Sequence, residues 1–267
     1  MKKIFGVLTI VILFISCSKE NDISKEVASL PNQDKYQNLA NAINNIDVKS
    51  KVSPQEQMVT YLDDKYDNFN TEYVKVKSKQ KSTLTHKGTS ADNSYDLDAA
   101  LDSAGITEIQ KEFIAKTNAL FPLDKSDDQT AKTDSLDVEK IKLGLLNVRG
   151  EVTDDIRLNS LEKEQLYSYI DAEYITLGSV VNYVENVNAL NNNTTKRFSF
   201  RKFVNQVFSI VVGVVVGVVL GSGGGIAGSI AGGVLLGGLV AHDVFHNNTC
   251  IKICGIGSCS VGFFTCD

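Results

Sequence analysis

Four cysteines crowd into the end of this 267-residue chain: Cys250, Cys254, Cys259 and Cys266. Cysteines at this density do one of two things. His242, His246, Cys250 and Cys254 fall four residues apart, and thiolates with imidazoles are zinc ligands. An even set of thiols in an oxidising compartment pairs instead. "HNNT" after Phe245 continues a helix poorly, which breaks the spacing a helical zinc site needs. The expectation is therefore two disulfides and no metal, with three pairings open. "DKSDDQTAKTDS" (Asp124–Ser135) offers oxygen ligands in a calcium-loop manner. It lacks the central Gly and closing Glu, and reads as a surface loop.

Catalytic chemistry has little to stand on. The histidines are His86, His242 and His246, and no G-x-S-x-G, Walker A, H-E-x-x-H or dinucleotide fingerprint is present. The carboxylates are scattered without a persuasive pair, so no enzyme and no cofactor is expected. There is no Trp, which removes a Trp-based carbohydrate platform. The formal charge of −5, without a basic stripe interleaved with aromatics, argues against a nucleic-acid partner. "KVKSKQKSTLTHKGTSADNS" (Lys75–Ser94) reads as a solvated linker.

The start, "MKKIFGVLTIVILFISCSKEND", has Lys2 and Lys3 ahead of an apolar stretch, Ile4 to Ile15. That stretch is too short to span a bilayer and suits an export signal. Ser16-Cys17 at its end resembles the bacterial lipoprotein signal, in which a cysteine after a small residue becomes the lipid-modified N-terminus. The resemblance implies acyl chains on Cys17 and a stable membrane anchor. "SKEND" resembles the short charged signals that send some diderm lipoproteins to the cell surface.

The third chemical feature is steric. In the stretch from Val211 to Asp243, Gly213, Gly217, Gly221, Gly225, Ser229, Gly233, Gly237 and Ala241 recur every fourth residue. Gly224, Gly228 and Gly232 form a second ladder beside them. Residues four apart share a helical face. A ridge of small residues lets two backbones approach, as in GxxxG membrane association. Soluble cores seldom use it, because an interior Gly costs about 1 kcal/mol relative to Ala. Phe203–Leu220 and Ile226–Ala241 would make helices of roughly 27 and 24 Å, each near the thickness of a hydrocarbon core, about 30 Å. "GSGGG" (Gly221–Gly225) is a natural hinge, so a two-helix hairpin with both ends on one side is expected. The competing reading is that "IVVGVVVGVVL" pairs as β-strands. Over Val207–Ala241 the pattern resembles glycine-zipper segments of pore-forming bacteriocins, including contact-dependent ones. That resemblance implies insertion into a target membrane and self-association through the ladder.

Helical elements must position these features. "YQNLANAINNI" puts Tyr36, Leu39, Ile43 and Ile46 on one face. Ser53 as N-cap, Pro54 at the first helical position and Glu56 closing a capping box form a helix start. Thr107 caps a helix lined by Ile109, Phe113, Ile114 and Leu120 and stopped by Pro122. Leu136–Val148 reads as another helix. The longest begins at Asn159 or Ser160 and buries Leu166, Tyr169, Ile170, Tyr174, Leu177, Val181 and Val184. "NNNTTKR" then reads as a linker.

The fold expected is mainly α, a small helical domain followed by a Gly-rich hydrophobic helical hairpin and a Cys-rich tail. The segments are a signal peptide at 1–16, a tether at 17–34, a helical domain at 35–195, the hairpin at 203–245 and a disulfide-rich tail at 246–267. The function expected is a membrane-anchored envelope lipoprotein acting as a contact-delivered, membrane-active effector. The alternative is a structural envelope lipoprotein whose hairpin is a second anchor. The partners expected are membrane lipid and further copies of the chain, at a surface-exposed position on the outer membrane.

Overall fold

A computed structural model describes residues 33–83, 101–102, 104–123, 136–191, 199–255 and 258–266. The signal segment with Cys17, the calcium-like loop at 124–135 and the linker at 192–198 lie outside the described residues. The fold is mainly α. A 3-10 turn, Gln33–Tyr36, leads into α1 (Gln37–Asn44), α2 (Pro54–Asp63), α3 (Phe69–Thr83), α4 (Glu108–Asn118), α5 (Val138–Asp154) and α6 (Ser160–Asn191). Then come α7 (Phe200–Gly221), a 3-10 turn (Ser222–Gly224) and α8 (Gly225–His246), closed by an antiparallel hairpin of β1 (Thr249–Gly255) and β2 (Ser258–Thr265). Gln33–Asp267 form one compact unit with a single continuous core, so the segments read as 35–195, 203–245 and 246–267 share one interior.

The helix starts follow local chemistry. The Ser53 hydroxyl accepts from the Glu56 amide at 3.2 Å, with Pro54 where no amide is needed. Thr107 and Gln110 form a reciprocal capping box. Asn159, not Ser160, caps α6: its side chain accepts from the Glu162 amide, and Glu162 accepts from the Asn159 amide in return. α5 runs on to Asp154, beyond the expected Val148, because Val152 is also buried. One segment departs from the sequence reading. "KVKSKQKST" is helical, the body of α3. Lys and Gln are good helix formers, and buried Phe69 and Val76 seat the helix on the core.

α7 and α8 occupy the centre. α6 lies along α7, while α2 and α3 lie along α8. α1 bridges α2 and α6, with Leu39 reaching α8, and α5 and α4 pack against α6. β1 closes the end where α7 begins and α8 finishes, touching α4, α7 and α8. Two aromatic pairs fasten these layers: Phe121 with Phe208 at 5.1 Å between ring centres, and Tyr183 with Phe245 at 5.5 Å.

Candidate functional site

The apolar run doubles back on itself as two helices of 22 residues each, about 33 Å long by helical rise. The Val-rich half is helical, not a strand. These helices are long and apolar enough to cross a membrane, and they are almost wholly buried inside the protein. Glycine sets their separation. A Cβ on Gly217 would overlap the carbonyl oxygen of Gly232, lie 2.6 Å from its carbonyl carbon and lie 2.9 Å from Gly233 Cα. A Cβ on Gly221 would overlap the Gly228 carbonyl oxygen, and one on Gly213 would sit 3.2 Å from the Leu236 oxygen. Gly217 and Gly221 of the first ladder therefore face Gly232 and Gly228 of the second, while Gly213 meets Val240 and Leu236.

Gly233 and Gly237, first-ladder glycines of α8, meet α7 as well, mainly through its side chains. A Cβ on Gly237 would lie 2.5 Å from Val214 Cγ2, and one on Gly233 would lie 3.1 Å from both Val218 of α7 and Leu39 of α1. Ser229 and Ala241 are buried. Gly225 sits at φ +67°, a left-handed conformation that only Gly adopts without strain, and it lets the chain leave the Ser222–Gly224 turn. That tight turn sets the rotation of α8 and brings the second ladder round to α7.

Polar ties hold the hairpin, and most lie at its base. Lys202 Nζ donates to Asn248 Oδ1 at 2.7 Å, which puts the start of α7 beside the end of α8. Buried Ser209 donates to the Asn205 carbonyl at 2.7 Å and accepts from the Ile251 amide at 2.8 Å, stitching β1 to α7. Gln206 accepts from Asn188 of α6 at 3.0 Å. Further up, Gln55 Nε2 donates to the Leu235 carbonyl at 3.2 Å, beside Gly238. At the tip the tie is Glu72 of α3. Its carboxylate lies against Gly224 and Gly228, at the N-terminus of α8, and also pairs with Lys75 at 2.5 Å. Gly224 has no capping side chain of its own, so Glu72 supplies the negative charge that this helix end favours. Sequence reasoning passed over Glu72. Its signal was a lone acid three residues before a lysine run.

In the tail, Cys250 and Cys266 are disulfide-bonded and fully buried. Cys250 is thereby committed to sulfur and is no thiolate for zinc. Cys254 falls between paired Ile253 and Gly255, and Cys259 between paired Ser258 and Val261, so they lie on facing stretches of the two strands. Their side chains lie outside the described residues. The rings of His242 and His246 lie 4.3 Å apart, tilted by 43°. Among the described residues no three His, Cys, Asp or Glu are gathered to hold a metal.

Two acidic groups are buried in α6. Asp171 pairs with Arg149 at 2.9 Å; burial raises its carboxyl, opposed by the guanidinium. Glu173 is 1% exposed, and its Oε2 has no hydrogen-bond partner. Burial pushes its carboxyl up to about 8. Tyr169, raised by the same burial and by the neighbouring Glu173, donates to Asn118 at 3.4 Å. A carboxyl so enclosed meets no substrate; it is a strained core group.

Compared with known proteins, the chain matches no family model, no curated protein and no solved structure.

Proposed function

We propose that this protein is an envelope lipoprotein, held by acyl chains on Cys17, that stores a membrane-inserting helical hairpin inside a soluble helical wrapping. It acts by releasing that hairpin into a lipid bilayer, as a contact-delivered, bacteriocin-like effector without enzymatic chemistry. The observation that carries the reading is the glycine-lined interface between α7 and α8. These helices hold three and six glycines respectively. A permanent soluble core gains nothing from them, since each costs about 1 kcal/mol relative to Ala in a helix interior. A pair that must survive transfer into lipid gains a great deal. Hydrocarbon gives apolar helices no hydrophobic reason to associate, so only close packing holds them together. The wrapping is also divisible. α2 and α3 lie along α8, but the closest backbone approach in the hairpin is between α7 and α8. Self-association after insertion would use Gly238, the small position that α2 covers now.

The test is release of trapped dye from vesicles and depolarisation of sensitive cells, with the intact chain and with one lacking residues 203–245. Leakage and depolarisation that vanish with the deletion support the effector. Stable vesicle association without leakage replaces it with a structural lipoprotein using the hairpin as a second anchor. An intact chain that neither inserts nor leaks makes α7 and α8 an ordinary core.

A further inference from the structure

We infer that His242 and His246, on the exposed side of the last turn of α8, form a two-imidazole chelate for a divalent late-transition cation, Zn(II) or Cu(II). The site does not depend on whether the hairpin enters a membrane, and it needs none of the tail cysteines.

In the sequence these residues belong to a series with Cys250 and Cys254, at intervals of four. That series is not what folds. Cys250 is buried in its bridge to Cys266, and α8 ends at His246, so the interval has no helical meaning beyond it. Within α8 it does. Residues four apart stand one turn above each other on a helix, and α8 runs through both histidines. Their rings lie 4.3 Å apart. Two imidazoles on one cation, with metal–nitrogen bonds of about 2.0–2.1 Å, hold their ring centres roughly 5 Å apart. A small rotation of the side chains therefore closes the pair on an ion. Both side chains are exposed, so the ion reaches them from solvent. Among the described residues no third protein ligand stands with them, so water completes the coordination and the ion is exchangeable.

The surroundings prepare the pair. Nδ1 of His242 faces the Asp243 carboxylate at 3.6 Å, and Asn247 Nδ2 donates to that carboxylate at 3.0 Å. A carboxylate behind one ring nitrogen orients the imidazole and leaves Nε2 as the ligand atom, as in metal-binding histidines generally. The pair also stands at the C-terminus of a helix, where unpaired carbonyls favour a cation. The turn that presents it is fixed. Val244 is buried, Phe245 packs edge-on against Tyr183 of α6, and the Asn247 amide donates to the Asp243 carbonyl at 3.0 Å. Little freedom is therefore lost when both ligands engage. α8 itself carries no Lys or Arg. The elements packed at this end bring Arg201 and Lys202 on α7, Lys252 on β1 and Glu185 on α6, and Lys202 is held on Asn248 at 2.7 Å. With charges of both signs there, recognition is by nitrogen coordination and not by net charge. Imidazole suits zinc and copper, whereas magnesium and calcium seek oxygen.

The experiment titrates zinc chloride into the full chain in detergent by isothermal titration calorimetry, and repeats it with the copper(II), magnesium and calcium salts. Free thiols are alkylated beforehand, so Cys254 and Cys259 contribute nothing. The expected result is saturable binding of a single Zn(II) per chain, tighter binding of Cu(II), and no binding of magnesium or calcium. His242→Asn and His246→Asn should each weaken Zn(II) binding about a hundredfold, because the remaining imidazole loses a neighbour held at high effective concentration. His246→Asn/Asn247→His keeps the number of histidines but not their spacing, and should bind as weakly as the single variants. His86→Asn should bind as the parent does. Zn(II) should also raise Tm in the parent and not in His246→Asn, since the chelate exists only where the helix is formed. His242, His246 and Asn247 are all exposed, so the variants keep the fold, which circular dichroism checks. An absence of saturable Zn(II) binding overturns the site. So does binding that survives either single substitution, that follows the respaced pair, or that disappears with His86.

Discussion

Gly217→Ala places one methyl group where α7 and α8 are closest. Its Cβ would overlap the Gly232 carbonyl oxygen, 2.6 Å from the carbonyl carbon and 2.9 Å from Gly233 Cα. All three atoms are backbone, so no side chain can swing aside. The helices must part by about 1 Å, a gap that forfeits up to half the dispersion attraction of the atom pairs across it. Overpacking of this kind costs about 1–3 kcal/mol, here near the upper end, and the better helix propensity of Ala returns about 1. The net expectation is a loss of about 1–2 kcal/mol, or about 3–6 °C in Tm for a chain of this size. Gly150→Ala is the control. Gly150 is exposed on α5, with nothing within 4 Å of a new Cβ. It should gain up to about 1 kcal/mol from propensity alone. Urea unfolding followed by circular dichroism, with both variants beside the parent, separates the two. If Gly217→Ala is as benign as Gly150→Ala, the backbone contact on which the functional proposal rests is absent.

Gly238→Ala should push α2 off the hairpin, because its Cβ would lie 2.7 Å from Gln55 Cβ, yet leave the α7–α8 contact intact. Dye release should therefore rise in Gly238→Ala and fall in Gly217→Ala at equal protein concentration. Glu173 binds its proton more tightly folded (about 8) than unfolded (near 4.5), so its contribution is most favourable at low pH and is lost as pH rises toward 8. Urea midpoints of Glu173→Gln should match the parent at pH 5 and exceed it at pH 8; a constant offset at both would refute this assignment. The unreduced chain should weigh about 4 Da less than the reduced one if both tail pairs are closed, and Cys250→Ser with Cys266→Ser should cost about 3 kcal/mol for a loop of this size. Metabolic labelling with a fatty-acid analogue should mark the parent and not Cys17→Ala; label that ignores the substitution removes the lipoprotein assignment.

Local features were legible in the sequence. Ser53-Pro54, Thr107 and the Asn159-Ser160 start act within one helical turn, and the structure places caps at each, choosing Asn159 in the last. The glycine hairpin was legible because period four survives over both helices. What lies across space was not. Two ladders share α8 and both meet α7, but Gly228 and Gly232 of the second meet its backbone whereas Gly233 and Gly237 of the first meet mainly its valine side chains. Asp171 and Glu173 sit in a stretch that looks solvated, yet both are buried because α6 is enclosed on several sides. The lysine run looked like a linker because its charges conceal two core residues, Phe69 and Val76, seven positions apart. The Cys250–Cys266 pairing was one of three, and it is set by β-strand register, not by cysteine spacing.

The wrapping helices α1 to α6 precede the hairpin in the chain, and the β-hairpin that closes the base comes last. Chains fold from the N-terminal side as they are made or threaded through a translocon. α1 to α6 are therefore already made when α7 and α8 emerge, so the partners that bury those helices are at hand from the start. Only after Cys266 emerges can the bridge to Cys250 form and shut the base. For a stored membrane-inserting hairpin, as proposed above, that order would shorten the time the apolar helices spend uncovered. A circular permutant that delivers α7 and α8 first would have every contact of the native fold and none of that protection.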